Sequence, residues 1–199
     1  MKLRTINLII KISLVVLACV FTATLIANGN FVGSRISAAA FSFIFPFALD
    51  IMRLFKIKLP ERFELAYLIF LFFAQFLGID FDFYKFIPLF DKVIHGVSGI
   101  LTFVFGLLIA DACGLKARKY INARIVFAIL LSIAIALFWE TIEFTADSLF
   151  GMHMQTLISA GPADTMLDMI WAAGGATVAG LVEWRMGRGS KKPRTKQRS

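Results

Sequence analysis

Long uninterrupted apolar runs, separated by short polar segments, make up most of this chain. A helix needs about 20 mostly apolar residues to cross the hydrocarbon core of a bilayer, and six of the runs meet that length. The runs lack the period-2 alternation typical of the strands of a membrane barrel. The pattern predicts an all-α fold, a polytopic membrane helix bundle of about six transmembrane helices, near Leu8–Ala27, Ile36–Leu54, Phe63–Ile79, Val93–Ala112, Arg124–Ala146 and Thr165–Trp184.

The composition indicates the same class of protein. Apolar residues make up 59% of the 199 positions and charged residues only 17%. A water-soluble protein of this size needs a larger charged surface, because apolar surface left facing water leads to association. The composition therefore excludes an ordinary soluble domain and makes the lipid bilayer the first expected partner. It does not predict an oligomeric state.

The basic residues are divided unevenly between the two sides of the six predicted spans. All 21 lysines and arginines except Arg35, Lys85 and Lys92 fall on one side. Cytoplasmic loops carry the excess of lysine and arginine in multi-pass membrane proteins. The distribution therefore predicts that both ends of the chain are cytoplasmic (N-in and C-in), and that the opposite side faces outward.

The two ends of the chain raise separate questions. The first span begins with basic residues, and its Val16-Leu17-Ala18-Cys19 segment resembles a lipoprotein cleavage site. The apolar run continues past Cys19, which favours a retained helix over a signal sequence. At the other end, residues 187–199 are basic and poor in apolar residues, which predicts a disordered cytoplasmic tail after one transmembrane domain of residues 1–186. We expect this tail to attract anionic lipid headgroups, and we expect no nucleic-acid partner.

Ionisable residues gather at the predicted outer ends of the last three spans. The fourth span carries Asp91 and His95, the fifth carries Glu140, Glu143 and Asp147, and the sixth carries Asp164 and Asp168. Spacings of three and four residues place each group on one helix face. Small or weakly polar residues continue these faces: Ser98, Gly99, Thr102 and Gly106; Ser132 and Ala136; and Ala172, Gly175, Ala176 and Ala179. Because small residues mark close approach between membrane helices, the three faces should meet at one pocket.

Carboxylates brought together in this way cannot all remain ionised without a counter-charge. Protons or a bound cation must supply most of it, because few basic residues lie on that side. A divalent metal ion is one solution, since carboxylate oxygens suit hard ions and a histidine also admits zinc, manganese or iron. We therefore predict Asp91, His95, Glu140, Glu143 and Asp168 as metal ligands.

The first functional hypothesis is a metal-dependent enzyme that acts on a lipid or lipid-linked headgroup at the outer leaflet. Asp164 or Asp147 would serve as its general base. The second hypothesis is a transporter in which protons or cations titrate the same carboxylates. It requires polar groups to continue toward the cytoplasm, where Asp111 stands alone in the sequence. The third is a non-catalytic scaffold in which the acids bind an ion structurally.

Several of these residues also have structural interpretations. Asp91 and Asp164 begin their helices and can act as caps, while Asp147 and His153 can be solvated loop residues. The loop between Asp147 and Asp164 suits a lid over the pocket and an interfacial turn equally. The segment Asp80–Phe90 interleaves aromatic and charged residues, which is typical of an anchor in the headgroup zone.

Three motifs in order resemble the YjdF-like family of small bacterial membrane proteins. They are Asp91-x3-His95-x3-Gly99, Trp139-Glu140-x2-Glu143-Phe144-x2-Asp147 and Asp164-Thr165-x2-Asp168-Met169. The resemblance covers the second half of the chain, and a similarity to VanZ-like proteins is looser. It implies a bacterial inner (plasma) membrane and supports the site, but it implies no reaction. An aromatic residue often follows the histidine in the YjdF-like pattern, whereas Gly96 follows it here and leaves more room beside His95.

Overall fold

The computed structural model describes residues 2–29, 33–151, 154 and 162–189, and these contain helices and no strand. Helix α1 is Leu3–Ala27. The second span is α2 (Gly33–Ile44) and α3 (Ala48–Leu54), joined by a 3-10 turn at Phe45–Phe47, and the third is α4 (Glu61–Leu71) continued by a π-helix at Phe72–Asp80. The short α5 (Phe83–Phe86) leads to α6 (Phe90–Ala112), α7 (Ile121–Phe150) and α8 (Pro162–Gly189).

Six helical segments of the described chain are long and apolar enough to cross a membrane, at the predicted places. Many of their large apolar side chains, such as Val20, Ile133 and Val178, are exposed on the outside of the bundle. An apolar exterior is stable in lipid and unstable in water. The predicted fold class, an all-α multi-pass membrane bundle, is therefore confirmed.

The third span is longer than the sequence indicated, because α4 begins at Glu61, two residues before the predicted start, and the π-helix ends at Asp80, one residue after the predicted end. The buried Gln75 lies in this π-helical part and donates a hydrogen bond of 2.9 Å to the carbonyl oxygen of Ala38 in α2. This bond joins the second and third spans, as expected for a polar side chain in lipid.

Helices α6, α7 and α8 pack closely against one another, as the small residues on their facing sides predict. A Cβ atom built on Gly99 would overlap the carbonyl group of Ala172, and one on Gly175 would overlap the carbonyl oxygen of Gly96. Thr102 and Ser132 share a hydrogen bond of 2.6 Å between α6 and α7. The backbones of α6 and α8 thus touch directly, which brings their polar ends together.

An ion-pair network ties α1 to α3 and α4 at the end of the bundle opposite the predicted site. Arg53 pairs with Asp50, three residues earlier, at 2.6 Å and also with Glu64 at 2.6 Å. Lys11 of α1 pairs with both Asp50 and Glu64. Two cations and two carboxylates balance, so this cluster is fully compensated within the described chain.

Helix α8 continues three residues beyond the boundary that the sequence suggested for the tail. Gly187 lies so close to α7 that a Cβ atom there would overlap the side chain of Ile121. Packing against α7 therefore keeps this part of the basic segment helical. Residues 190–199, and most of the loop proposed as a lid, including His153, lie outside the described residues.

The glycine contact between α6 and α8 gives a direct test of the packing. Replacing Gly175 with alanine should lower the free energy of unfolding by about 1–3 kcal/mol, because the helices must move apart to admit a methyl group. The matched control is Gly174→Ala, whose added Cβ meets no atom within 4 Å. Denaturant titration of the detergent-purified variants measures both values. Equal stabilities for the two variants would contradict the close contact.

Candidate functional site

The ammonium group of Lys92 lies among carboxylates of two helices. Lys92 Nζ is 3.1 Å from Asp91 Oδ2 on its own helix and 2.7 Å from Asp168 Oδ1 on α8. It also pairs with Asp164, one turn earlier on α8. Only 8% of the Lys92 side chain is exposed. This ion-pair cluster fixes α6 to α8 at the end of the bundle that carries the predicted site residues.

His95 lies one turn deeper and faces acidic residues on all three helices. Its Nε2 is 3.5 Å from Asp91 Oδ1 and 3.7 Å from Asp168 Oδ1, and its Nδ1 is 3.8 Å from Glu140 Oε1. These distances exceed those of good N–H···O hydrogen bonds, which are about 2.7–3.2 Å. The imidazole therefore lies at the centre of the cluster, and each of its nitrogens is slightly too far from the facing carboxylate oxygens for a good hydrogen bond.

Glu140 is the most deeply buried acid of the cluster, with 3% of the residue exposed. Its Oε1 is buried and has no hydrogen-bond partner among the described residues. Leaving a buried polar atom unsatisfied costs about 1–3 kcal/mol, and more for a charged group. A buried oxygen of this kind is normally protonated or lies next to a water molecule, an ion or a ligand.

The ligand atoms of Asp91, His95 and Asp168 form one compact group, within 4.8 Å of one another. Two atoms bound at about 2.1 Å from one ion, at angles of about 90–110°, lie about 3.0–3.4 Å apart. The observed 3.5 and 3.7 Å separations from His95 Nε2 need only a small inward movement to reach this range. These three residues therefore fit a metal ion. An ion there would share Asp168 Oδ1 with the Lys92 ammonium.

The other predicted site residues have different positions. Glu140 faces the opposite nitrogen of His95, outside the compact group. Glu143 lies one turn farther out on α7, close enough to interact electrostatically with Glu140, His95 and Asp91. Asp164 is held by Lys92. Asp147 accepts a hydrogen bond of 2.6 Å from the backbone N–H of Met154, which ties Met154 to the last turn of α7.

The two other basic residues predicted on this side do not compensate the cluster. Arg35 and Lys85 pair with Asp82, at 2.9 and 2.7 Å. Partial burial opposes ionisation of Asp82, but the bonds from Lys85 and Arg35 outweigh it and hold the pKa of this carboxyl below its usual value. Within the described chain, Lys92 is therefore the only lysine or arginine paired with the acids around His95.

Tyr84 is a neighbour of the site that the sequence did not indicate. Its ring packs edge-on against Phe90, with centroids 5.4 Å apart, and occupies the space where a side chain at Gly78 would lie. Burial raises the pKa of the Tyr84 phenol, and the negative charges of Asp91, Glu143 and Asp168 raise it further. The segment expected to be only an interfacial anchor thus brings a neutral phenol to the edge of the acidic cluster.

An apolar layer lies beneath the site, below the Thr102–Ser132 hydrogen bond. It consists of Phe103, Leu107, Ile125, Ala128 and Ala176, all buried. Beyond it, Asp111 does not stand alone as the sequence suggested. Arg124 of α7 approaches Asp111 to 2.5 Å and Glu183 of α8 to 2.7 Å. The sequence missed this triad because its three members come from three helices.

The chain belongs to the DUF2238 family of predicted membrane proteins, whose family model matches residues 9–189. No curated protein and no solved structure matches it. The family description agrees with the six-span fold and gives no activity. The function must therefore be argued from the site itself.

The ion pairs of Lys92 give a second test. Lys92→Met should lower the free energy of unfolding by about 3–5 kcal/mol, because it leaves buried carboxylates without their counter-charge. The matched control, Lys85→Met, removes a lysine whose side chain is 63% exposed, and it should cost less than about 1 kcal/mol. Denaturant titration in detergent compares the two. Similar losses would show that Lys92 is not buried among these acids.

Proposed function

We propose that this protein is a divalent-metal-dependent membrane enzyme that acts on a lipid or lipid-linked headgroup at the outer leaflet of a bacterial plasma membrane. The observation that carries the proposal is the compact group of Asp91, His95 and Asp168 beside the unpartnered oxygen of Glu140. The outward orientation rests on the distribution of basic residues. The bacterial membrane rests on the YjdF-like motifs.

The charge balance of the site favours a cation. Four carboxylates, those of Asp91, Asp164, Asp168 and Glu140, surround Lys92 and His95 and are largely withdrawn from solvent. Uncompensated charge is costly within a membrane protein. Mixed imidazole and carboxylate ligands suit zinc, manganese or iron. A bound ion of this kind would supply Lewis acidity toward a phosphoryl or carbonyl oxygen of a headgroup.

Glu140 has the position of a residue that orients a metal ligand. Metal-bound histidines commonly donate their other ring N–H to a carboxylate, which fixes the tautomer. With Nε2 facing Asp91 and Asp168, Nδ1 faces Glu140 Oε1 at 3.8 Å. A shift of less than about 1 Å would form that bond, and such bonds are often long in the absence of ligand. In this proposal Glu140 holds His95 with its Nε2 lone pair toward the ion.

The remaining residues receive revised roles. Asp164 and Asp147 are poor candidates for the general base, because Lys92 and the Met154 N–H hold them. Glu143 lies farther out, makes no ion pair within the described chain and accepts one hydrogen bond, from Trp139, so we assign to it the removal of a proton from water. Tyr84 supplies a buried, neutral hydrogen-bond donor near these carboxylates.

The same geometry argues against the transporter hypothesis. A transport path would have to connect the site to the Asp111–Arg124–Glu183 triad. The buried layer around Phe103 and Ala128 separates them. Chemistry at a site near one end of the bundle accounts for the arrangement without any movement of that layer.

Metal binding tests the first half of the proposal. Manganese or zinc at about 100 times its Kd should stabilise the purified protein by about 2.7 kcal/mol, with one ion per chain by elemental analysis. The variants Asp168→Asn and His95→Ala should lose most of the bound metal and most of the stabilisation. The control is Asp82→Asn, which removes an acid at the same end but outside the cluster. Absence of both bound metal and stabilisation in the unmodified protein would refute the proposal.

Lipid chemistry tests the second half. Cells that express the protein should show a changed headgroup or lipid-linked species by lipid mass spectrometry. Glu143→Gln should abolish that change, with a loss of about 100-fold or more, while retaining the metal. Glu61→Gln, an exposed acid at the opposite end, is the control. Proton or cation flux in proteoliposomes that Glu140→Gln abolishes, with no lipid changed, would contradict an enzyme and favour transport.

A further inference from the structure

A basic cleft of about 250 Å³ lies at the end of the bundle opposite the candidate site. It is formed where the connection between α6 and α7 meets the last turns of α8. Its lining residues are Lys116, Ala117, Arg118, Ile121, Arg124 and Gly187. None of these residues contributes to the acidic cluster around His95.

The charges of the lining residues are not equally available to a ligand. Arg124 is held by the two carboxylates of Asp111 and Glu183 and therefore adds no net positive charge to the cleft. Lys116 and Arg118 are exposed, and the described ion pairs do not engage them. The 30-residue helix α7 begins at Ile121 in the same cleft, and the positive end of its dipole adds to the field. The cleft therefore favours an anion.

The size and location of the cleft narrow the class of anion. Pockets for drug-sized ligands usually measure about 300–1,000 Å³, so a volume of about 250 Å³ suits a single small headgroup. Tyr120 is exposed beside it, with Lys119 Nζ 4.7 Å from the ring centroid. Exposed tyrosine next to lysine is typical of the membrane–water interface. A ligand there would reach the cleft from the lipid headgroup layer.

We propose that this cleft binds the phosphate group of an anionic phospholipid, with Lys116 and Arg118 as its charged contacts. Basic pockets between transmembrane helices on the cytoplasmic side are known to take anionic headgroups. Binding would hold the α6–α7 connection against the end of α8. The proposal does not depend on the chemistry proposed for the acidic cluster.

Native mass spectrometry of the full chain released from nanodiscs provides the test. The discs contain phosphatidylcholine with a minor fraction of phosphatidylglycerol. The unmodified protein should retain phosphatidylglycerol in preference to phosphatidylcholine. The double variant Lys116→Gln/Arg118→Gln should weaken that retention about tenfold, and added salt should weaken it in the unmodified protein.

The matched control removes two exposed basic residues at the same end but outside the cleft, Lys58→Gln/Arg62→Gln. It should leave retention unchanged. Equal losses in both double variants would overturn the proposal, because they would show only a general surface charge. Both variants must unfold at the same temperature in pure phosphatidylcholine, which separates binding from folding.

A second experiment distinguishes a lipid headgroup from free inorganic phosphate as the ligand. Inorganic phosphate is added to the protein in pure phosphatidylcholine discs, and the unfolding temperature is measured. No stabilisation, together with retained phosphatidylglycerol, supports a lipid ligand. Stabilisation by inorganic phosphate that the Lys116/Arg118 variant abolishes, without lipid retention, would overturn the lipid assignment and identify a free phosphate site.

Discussion

The burial of one lysine ammonium among carboxylates of α6 and α8 determines the geometry of the whole site. Charges in the membrane are tolerated only when they are paired or face water, because hydrocarbon cannot solvate them. Lys92 therefore has to remain between Asp91, Asp164 and Asp168, and these contacts fix where α8 lies against α6. Since a single ammonium cannot balance the surrounding acids, the same cluster remains able to attract a further cation.

The close packing of small residues and the polar site depend on each other. Gly99 and Gly175 let the backbones of α6 and α8 touch, and at that separation the carboxylates of α8 reach Lys92 and His95. Below the site lies the hydrogen bond between the Thr102 and Ser132 hydroxyl groups, and below that bond lies the apolar layer. The bundle is thus polar at one end of this three-helix core, closed in the middle and basic at the other end.

The sequence predicted the features that follow from a physical constraint acting on every span, and these are the span lengths and the small residues at helix contacts. Bilayer thickness sets the length of the six spans, and close helix approach requires the stripes of small residues, so both could be recognised without coordinates. The role of Lys92 could not be predicted, because adjacent residues of a helix do not ordinarily pair, and the flexible stem of Lys92 reaches a helix more than 70 residues away. The contact of Tyr84 with Gly78 depends on a π-helix that the sequence does not reveal.

A double-mutant cycle between Lys92 and Asp168 tests the central claim most directly. The variants Lys92→Met, Asp168→Asn and the double variant are unfolded by denaturant in the same detergent, and the coupling free energy is calculated from the four stabilities. A buried ion pair at 2.7 Å predicts a favourable coupling of about 2 kcal/mol or more. A coupling below about 0.5 kcal/mol would mean that the two side chains do not meet, and the acidic cluster of α6 and α8 would not exist as described.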